Sequence, residues 1–233
     1  MKIGIIGAMQ EEVAQLKAEM TSVNIVTKAS MDFYEGKLGD KSVVIVQSGI
    51  GKVNAAICTQ ILVDLFAVDL VINTGIAGSL RAEINIGDVV VSTDALQHDV
   101  DATEFGYALG QVPRLDTLAF KADEKLIKQA MESCQKVNKD IDVFTGRVVS
   151  GDQFIANATL KQQIIANFDG YCTEMEGAAI AQTAYLNQLP FVIIRAISDK
   201  ADDSAQVDYP TFEKQAIENS VKLVLDMVAQ LSI

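Results

Sequence analysis

Phe191-Val-Ile-Ile-Arg195-Ala-Ile-Ser198-Asp199 is the stretch from which the fold of this chain is read. Its apolar run is β-branched and nearly continuous rather than alternating. That pattern suits a strand covered on both faces, as in a mostly parallel sheet packed between helices. Val43-Val-Ile-Val46 repeats it. Working outward, strands are expected at Lys2–Gly7, Ser42–Gln47, Leu70–Asn73, Asp88–Ser92, Val143–Ser150 and Phe191–Ile197. Helical patterns alternate with them at Gln10–Met20, Val53–Phe66, Asp123–Asn138, Thr159–Asn167, Glu176–Asn187 and Phe212–Leu231. Phe33–Leu38 reads as an antiparallel partner of Ser42–Gln47 through the Gly39-Asp40 turn. No composition break, linker or repeat of fixed period divides the 233 residues. A single α/β domain, 1–233, with a mixed, mostly parallel sheet is therefore expected.

The same stretch ends in Ser198-Asp199. In open α/β sheets, ligands bind just outside the carboxyl ends of the strands. An Asp at that place points to acid–base work or hydroxyl recognition. A second acidic element, Glu174-Met175-Glu176, opens the small-residue helix Gly177-Ala-Ala-Ile-Ala. Carboxylates also suit a helix start on macrodipole grounds alone, so this pair has a structural reading beside the functional one. Three glycine-rich segments each follow an expected strand: Gly7-Ala-Met9-Gln-Glu-Glu12, Ser48-Gly49-Ile50-Gly51-Lys52 and Asn73-Thr74-Gly75-Ile76-Ala77-Gly78. Glycine lets backbone approach a ligand closely. Three such segments beside the two acidic elements outline one pocket.

Other site types fall away. A formal net charge of −12 argues against nucleic acid or an anionic membrane as the main partner. Cys58, Cys134 and Cys172 are far apart, fit no metal or CxxC spacing, and read as reduced core residues. The apolar run after Lys2 is too short for a signal-peptide core and no later run spans a bilayer, so a cytoplasmic location is expected. Gly4-Ile-Ile-Gly7 lacks the third glycine of a dinucleotide fingerprint. Gly49-Ile-Gly51-Lys52 has Val46 and Val53 where a phosphate loop needs Gly and Ser or Thr. His98, the single histidine, excludes a two-His metal motif and reads as a solvated loop residue beside Asp99 and Asp101. No GxSxG surrounds any serine. The chemistry rests on carboxylates, and neither metal nor cofactor is expected.

Taken in order, Met1-Lys-Ile-Gly-Ile-Ile-Gly-Ala-Met-Gln-Glu-Glu12, Ser48-Gly-Ile-Gly-Lys-Val53, Asn73-Thr-Gly75, Phe105-Gly-Tyr107, Ser150-Gly-Asp152, Glu174-Met-Glu176 and Arg195-Ala-Ile-Ser-Asp199 resemble the bacterial 5′-methylthioadenosine/S-adenosylhomocysteine nucleosidases. These belong to the purine nucleoside phosphorylase-like superfamily. The resemblance runs over essentially the whole chain. It implies a three-layer fold, with a central mixed sheet partly closed into a barrel and flanked by helices, built as a homodimer. It also implies a hydrolase, an N-glycosidase that cuts the N-ribosidic bond of 5′-methylthioadenosine and S-adenosylhomocysteine, and of 5′-deoxyadenosine. Adenine and a thioribose are released, in methionine salvage and methyl-cycle detoxification.

The resemblance assigns roles residue by residue. Glu12 would be the base that activates water, and Asp199 the acid that protonates purine N7, with Ser198 holding its carboxyl. Arg195 and Glu174 would orient the water and the ribose. Met175 and Glu176 would hold the ribose hydroxyls, while Phe154 would lie on the adenine face and Ile155 beside its edge. Met9, Ile50 and Gly78 would line the sugar, and Tyr209 would belong to a mobile segment over the site. Ala102, Phe105 and Pro113, in the apolar segment His98–Pro113, would reach the partner subunit's site over the alkylthio group.

Four positions depart from the family pattern: Ile76 for Ser, Tyr209 for Phe, Pro210 beside it, and Gln10 for Glu. None removes the acid or the base. Three readings compete with the nucleosidase: a phosphorylase on the same fold, a non-catalytic nucleoside-binding protein, and a hydrolase of another adenine- or futalosine-type nucleoside. The Gln10-Glu11-Glu12 segment would repel a phosphate nucleophile. Binding alone would need no acid and base together.

Overall fold

The computed structural model describes residues 1–231; Ser232 and Ile233, at the end of the expected domain, lie outside the described residues. In chain order the elements are β1 (Lys2–Gly7), α1 (Gln10–Ala18), β2 (Thr21–Lys28), β3 (Met31–Leu38), β4 (Lys41–Gln47), α2 (Lys52–Phe66), β5 (Leu70–Ser79), β6 (Val89–Gln97), β7 (Phe120–Lys121), α3 (Glu124–Val137), β8 (Val143–Ser150), α4 (Ala158–Phe168), β9 (Cys172–Glu174), α5 (Gly177–Leu186), β10 (Phe191–Asp199) and α6 (Ala205–Gln230).

The strands join in the order β10-β6-β8-β9-β5-β1-β4-β3-β2, and β10 also pairs with β5. That extra pairing, parallel from Phe191↔Val71 to Asp199↔Gly78, closes β5, β10, β6, β8 and β9 into a barrel. The remaining strands continue from β5 as an open wing. The continuous apolar strands are those buried on both faces: every residue of β5 and of β10 is buried. Helices α1, α3 and α6 cover one side, with Val13, Leu126 and Val224 in their core. On the other side, α2 and α5 pack together, with Cys58, Leu62 and Ile180 between them and the sheet. Cys58, Cys134 and Cys172 are free and buried.

The expected α/β layering, the β3–β4 hairpin and the six helices are all present. Four features differ. The strand β2 was not expected: Thr21–Lys28 is exposed almost throughout and shows no apolar alternation, because it is an edge strand held only by β3. The short strands β7 and β9 carry too few residues for any periodicity. The glycine-rich Asn73–Gly78 segment is not a loop after β5 but its second half. Finally, α6 begins at Ala205 rather than Phe212 and runs through Pro210, so Tyr209 sits on a helix.

Candidate active site

The carboxyl ends of β1, β5, β9 and β10 meet around a cavity of about 490 Å³ lined by Ala8, Met9, Glu12, Ile50, Ile76, Ala77, Gly78, Phe154, Thr173, Glu174, Met175, Glu176, Ser198, Asp199 and Tyr209. A larger groove, about 590 Å³, lies between the start of α3 and the end of α5. Its Asp123 is engaged as the α3 cap, accepting from the Lys125 and Leu126 amides at 2.9 and 3.0 Å.

Glu12 stands in the first turn of α1 but turns back under β1. Its Oε2 accepts from the Ala8 and Met9 amides at 2.7 and 2.9 Å, and its Oε1 from the Ile76 amide at 3.2 Å. Ile76 thus contributes through its backbone, which any residue there would supply. Burial pushes the Glu12 carboxyl above its ordinary value, against the opposing pull of Arg195 and the amides.

Arg195 is 2% exposed and is the buried cation of the site. It donates to Asn73 Oδ1 at 2.6 Å and, through Nε, to Glu174 Oε2 at 3.1 Å, and its Nη2 pairs with the same oxygen. Burial opposes its charge, but Glu174, Glu12 and Glu176 outweigh that and raise its pKa. Glu174 is in turn held by the Gly177 amide at 2.7 Å and by the Ser150 hydroxyl. Glu176 caps α5, and its Oε1 accepts from the Gly51 amide at 2.8 Å. Burial, and then the neighbouring Glu174, push Glu176 up to about 8.

Asp199 ends β10 at the other side of the cavity. Its Oδ1 accepts from the Ala201 amide at 2.8 Å and its Oδ2 from the Ser198 hydroxyl at 2.9 Å. Burial raises its pKa, the amide and hydroxyl lower it, and Asp208 and Asp202 raise it further.

The two in-strand glycines have a steric cause. A Cβ at Gly75 would stand 2.6 Å from Glu12 Oε1 and 3.0 Å from Arg195 Nη1; at Gly78 it would stand 2.7 Å from Asp199 Oδ1. Each glycine vacates the space its carboxylate fills, so their spacing records the seats of Glu12 and Asp199 rather than a turn.

The mouth is apolar. Ile50 and Phe154 are each 53% exposed, and Tyr209 packs edge-on against Phe154 at 5.7 Å. The Tyr209 hydroxyl donates to Glu213 Oε1 at 3.1 Å and lies 3.4 Å from Met9 Sδ. Burial raises its pKa. Ile155 is buried and lines a small recess of about 30 Å³ beside Gly78, Phe154 and Asp199.

Of the residues expected at the site, Arg195 lies behind the cavity wall, Ile155 lines only the small recess, and Ala102, Phe105 and Pro113 do not line the cavity of their own chain, with Phe105 84% exposed. His98 is not the solvated loop residue expected: it is buried, with Nε2 unpartnered among the described residues and burial lowering its pKa. Its polar neighbours in sequence concealed that its ring lies against Gly151. Sequence reasoning also missed Thr173 as a lining residue and gave no role to Asn73 or Ser150. Asn73-Thr-Gly and Ser-Gly-Asp at strand ends were the available signals. Among the described residues, no three His, Cys, Asp or Glu side chains group as metal ligands, and no helix is long and apolar enough to cross a membrane.

Residues 2–229 match the family model described as the phosphorylase superfamily. A 5′-methylthioadenosine/S-adenosylhomocysteine nucleosidase of Exiguobacterium is 47% identical over 99% of both chains. The nucleosidase of that name from Neisseria meningitidis, solved with methylthio-immucillin-A, superimposes with a TM-score of 0.95 at 42% identity over 99% of both chains. The Colwellia psychrerythraea nucleosidase, solved with adenine, does so with a TM-score of 0.95 at 43% identity, over 99% of this chain and 96% of that one.

Proposed function

The chain belongs to the 5′-methylthioadenosine/S-adenosylhomocysteine nucleosidases of the phosphorylase superfamily, and from that premise we propose that it hydrolyses the N-ribosidic bond of both nucleosides to adenine and the thioribose. One observation carries the reading. Two buried carboxylates face one cavity from different strand ends: Glu12 is opposed by a buried guanidinium, while Asp199 has an amide, a hydroxyl and two acidic neighbours. That is the asymmetry a base and an acid need.

Glu12, held by three amides, takes a proton from water as its oxygen bonds to the ribose anomeric carbon. The electron pair of the breaking bond stays on adenine, and Asp199 delivers a proton to N7, so the leaving base departs neutral. An unperturbed Asp, with a pKa of about 3.9, would be ionised at neutral pH. Burial at an apolar strand end favours the protonated form. The oxocarbenium-like sugar is stabilised by the anionic and polar groups at the Glu174–Glu176 wall. Glu176 and Met175 hold the ribose hydroxyls, and Phe154 and Tyr209 cover the base.

Hydrolysis is favoured over phosphorolysis because the Glu12 carboxyl, in the first turn of α1, lines the cavity where a phosphate would have to sit, and the buried cation Arg195 is already engaged by Glu174. We further propose that 5′-deoxyadenosine is accepted, that the chain works as one cytoplasmic domain in methionine salvage, and that it acts as a homodimer. The exposed Phe105 supports the last. The reading is tested by incubating the protein with 5′-methylthioadenosine with and without phosphate. Free methylthioribose in both is the expected product; methylthioribose 1-phosphate would overturn hydrolysis.

A further inference from the structure

Ser150-Gly151-Asp152 leaves the barrel at the end of β8, contacts Glu174 directly and reaches Glu176 only through the Gly51-Lys52 backbone, without lining the cavity itself. Every amide of this turn region is fixed. The His98 amide donates to Ser150 O at 2.8 Å, the Gly151 amide to Glu174 O at 3.2 Å, and the Asp152 amide to Asp99 Oδ2 at 3.0 Å. Residue 151 must be glycine, because a Cβ there would stand 2.5 Å from the His98 ring. Ser150 Oγ accepts from the Ala178 amide at 2.7 Å and donates to Glu174 Oε1.

Asp152 extends the same construction to the other glutamate. Its Oδ1 accepts from the Lys52 amide at 2.8 Å. The preceding residue, Gly51, has φ of 98° and donates its own amide to Glu176 Oε1 at 2.8 Å. Two successive amides are thus held by two carboxylates, Asp152 outside the cavity and Glu176 inside it. Lys52 closes the arrangement: its Nζ lies 2.6 Å from Asp99 Oδ1 and 3.0 Å from Gln97 Oε1. Burial works against charge on Asp99, but the Lys52 ammonium and the Asp152 amide hold it below its ordinary value.

We propose that Asp152, braced by Asp99 and Lys52, is a positioning residue: it fixes the Gly51 amide that occupies Glu176 Oε1 and so presents Glu176 Oε2 to the substrate's hydroxyls. Among the described residues, that second oxygen accepts no hydrogen bond. A left-handed glycine has many alternatives once its neighbour's amide is released. Without Asp152 the Gly51 amide is no longer aimed, and Glu176 is free to turn. The inference rests on the reading of Glu176 as the ribose anchor.

The test is a double-mutant cycle between Asp152→Ala and Glu176→Gln, read as KM and kcat for 5′-methylthioadenosine. Asp152→Ala is expected to raise KM about tenfold, the factor associated with a hydrogen bond to a charged group. The change in kcat should be smaller, and Asp152→Asn, which retains an oxygen acceptor for the Lys52 amide, should restore most of the KM. In the Glu176→Gln background the same Asp152→Ala change should cost little more. Lys52→Met, which releases Asp99 but leaves Asp152 in place, should give a smaller loss in the same direction. An undiminished loss from Asp152→Ala in the Glu176→Gln background, or a loss confined to kcat, would overturn the inference. If the wild-type protein released no adenine, the functional reading would fail instead, so the two failures are distinct.

Discussion

The two ends of the cavity are built from the same residue types to opposite effect. At the sugar end, Glu12, Glu174 and Glu176 surround one buried guanidinium, and amides of Ala8, Met9, Ile76, Gly51 and Gly177 point at their oxygens. At the end proposed for the purine, Asp199 has one amide, one hydroxyl and two acidic neighbours. Burial raises both the Glu12 and the Asp199 carboxyls, but only the first meets a cation that opposes it. On the proposed roles, acid and base are set apart by where Arg195 lies, not by which carboxylic acid is used.

The contrast is broken most severely by neutralising either end. Glu12→Gln and Asp199→Asn should each lower turnover by about 10²–10⁴-fold, the range of one positioned base or acid. Adenine binding, followed by calorimetry, should persist in both. Near-normal turnover in either folded variant would remove that residue from the chemistry. Taking away the cation should be almost as costly. Arg195→Met strands three carboxylates in a buried site and should cost about 3–5 kcal/mol of stability in denaturant unfolding. An unchanged midpoint would show that the sugar end does not depend on its ion pair.

A finer comparison concerns the sugar hydroxyls. Glu176→Gln should weaken 5′-methylthioadenosine about fivefold more than its 2′-deoxy analogue, the difference one hydrogen bond of about 1 kcal/mol makes. Equal losses for the two substrates would return Glu176 to a helix-capping role. The proposed dimer is tested at Phe105, which is 84% exposed on its own chain. Phe105→Asp should shift the protein towards monomer in sedimentation and raise KM for methylthioadenosine several-fold, about the worth of a lost methyl contact. A fully active monomer is the result that would sink this arrangement.

The smallest expected effect is one of stability against pH. Glu176 has a folded pKa of about 8 against an ordinary 4.5. The folded state therefore holds a proton that the unfolded chain has released, and stability falls as pH rises from 4.5 through 8. Glu176→Gln cannot lose that proton. Its melting temperature should exceed the wild type's at pH 8.5, with the gap closing towards pH 5. A constant gap across that range would show that burial does not hold Glu176 protonated.

Much of this was legible in the chain because it is written in local pattern. The continuous runs in β4 and β10 announced strands covered on both faces, and Ser198-Asp199 announced an acid at a strand end. Edge strand β2 was not legible, since one exposed partner strand imposes no apolar period. His98 was misread because polar neighbours in sequence say nothing of what packs above them.

By itself, the sequence determined the layering, the hairpin, the helices and which carboxylates belong together, since periodicity and residue type are properties of the chain. Only the tertiary structure decided the closure of the barrel through β10 and β5, the role of Gly75 and Gly78 as space for Glu12 and Asp199, and the seat of Arg195. Those depend on atoms far apart in sequence arriving within hydrogen-bond reach. In a low-dielectric interior, the ionisation of a group is governed by such neighbours rather than by its own identity.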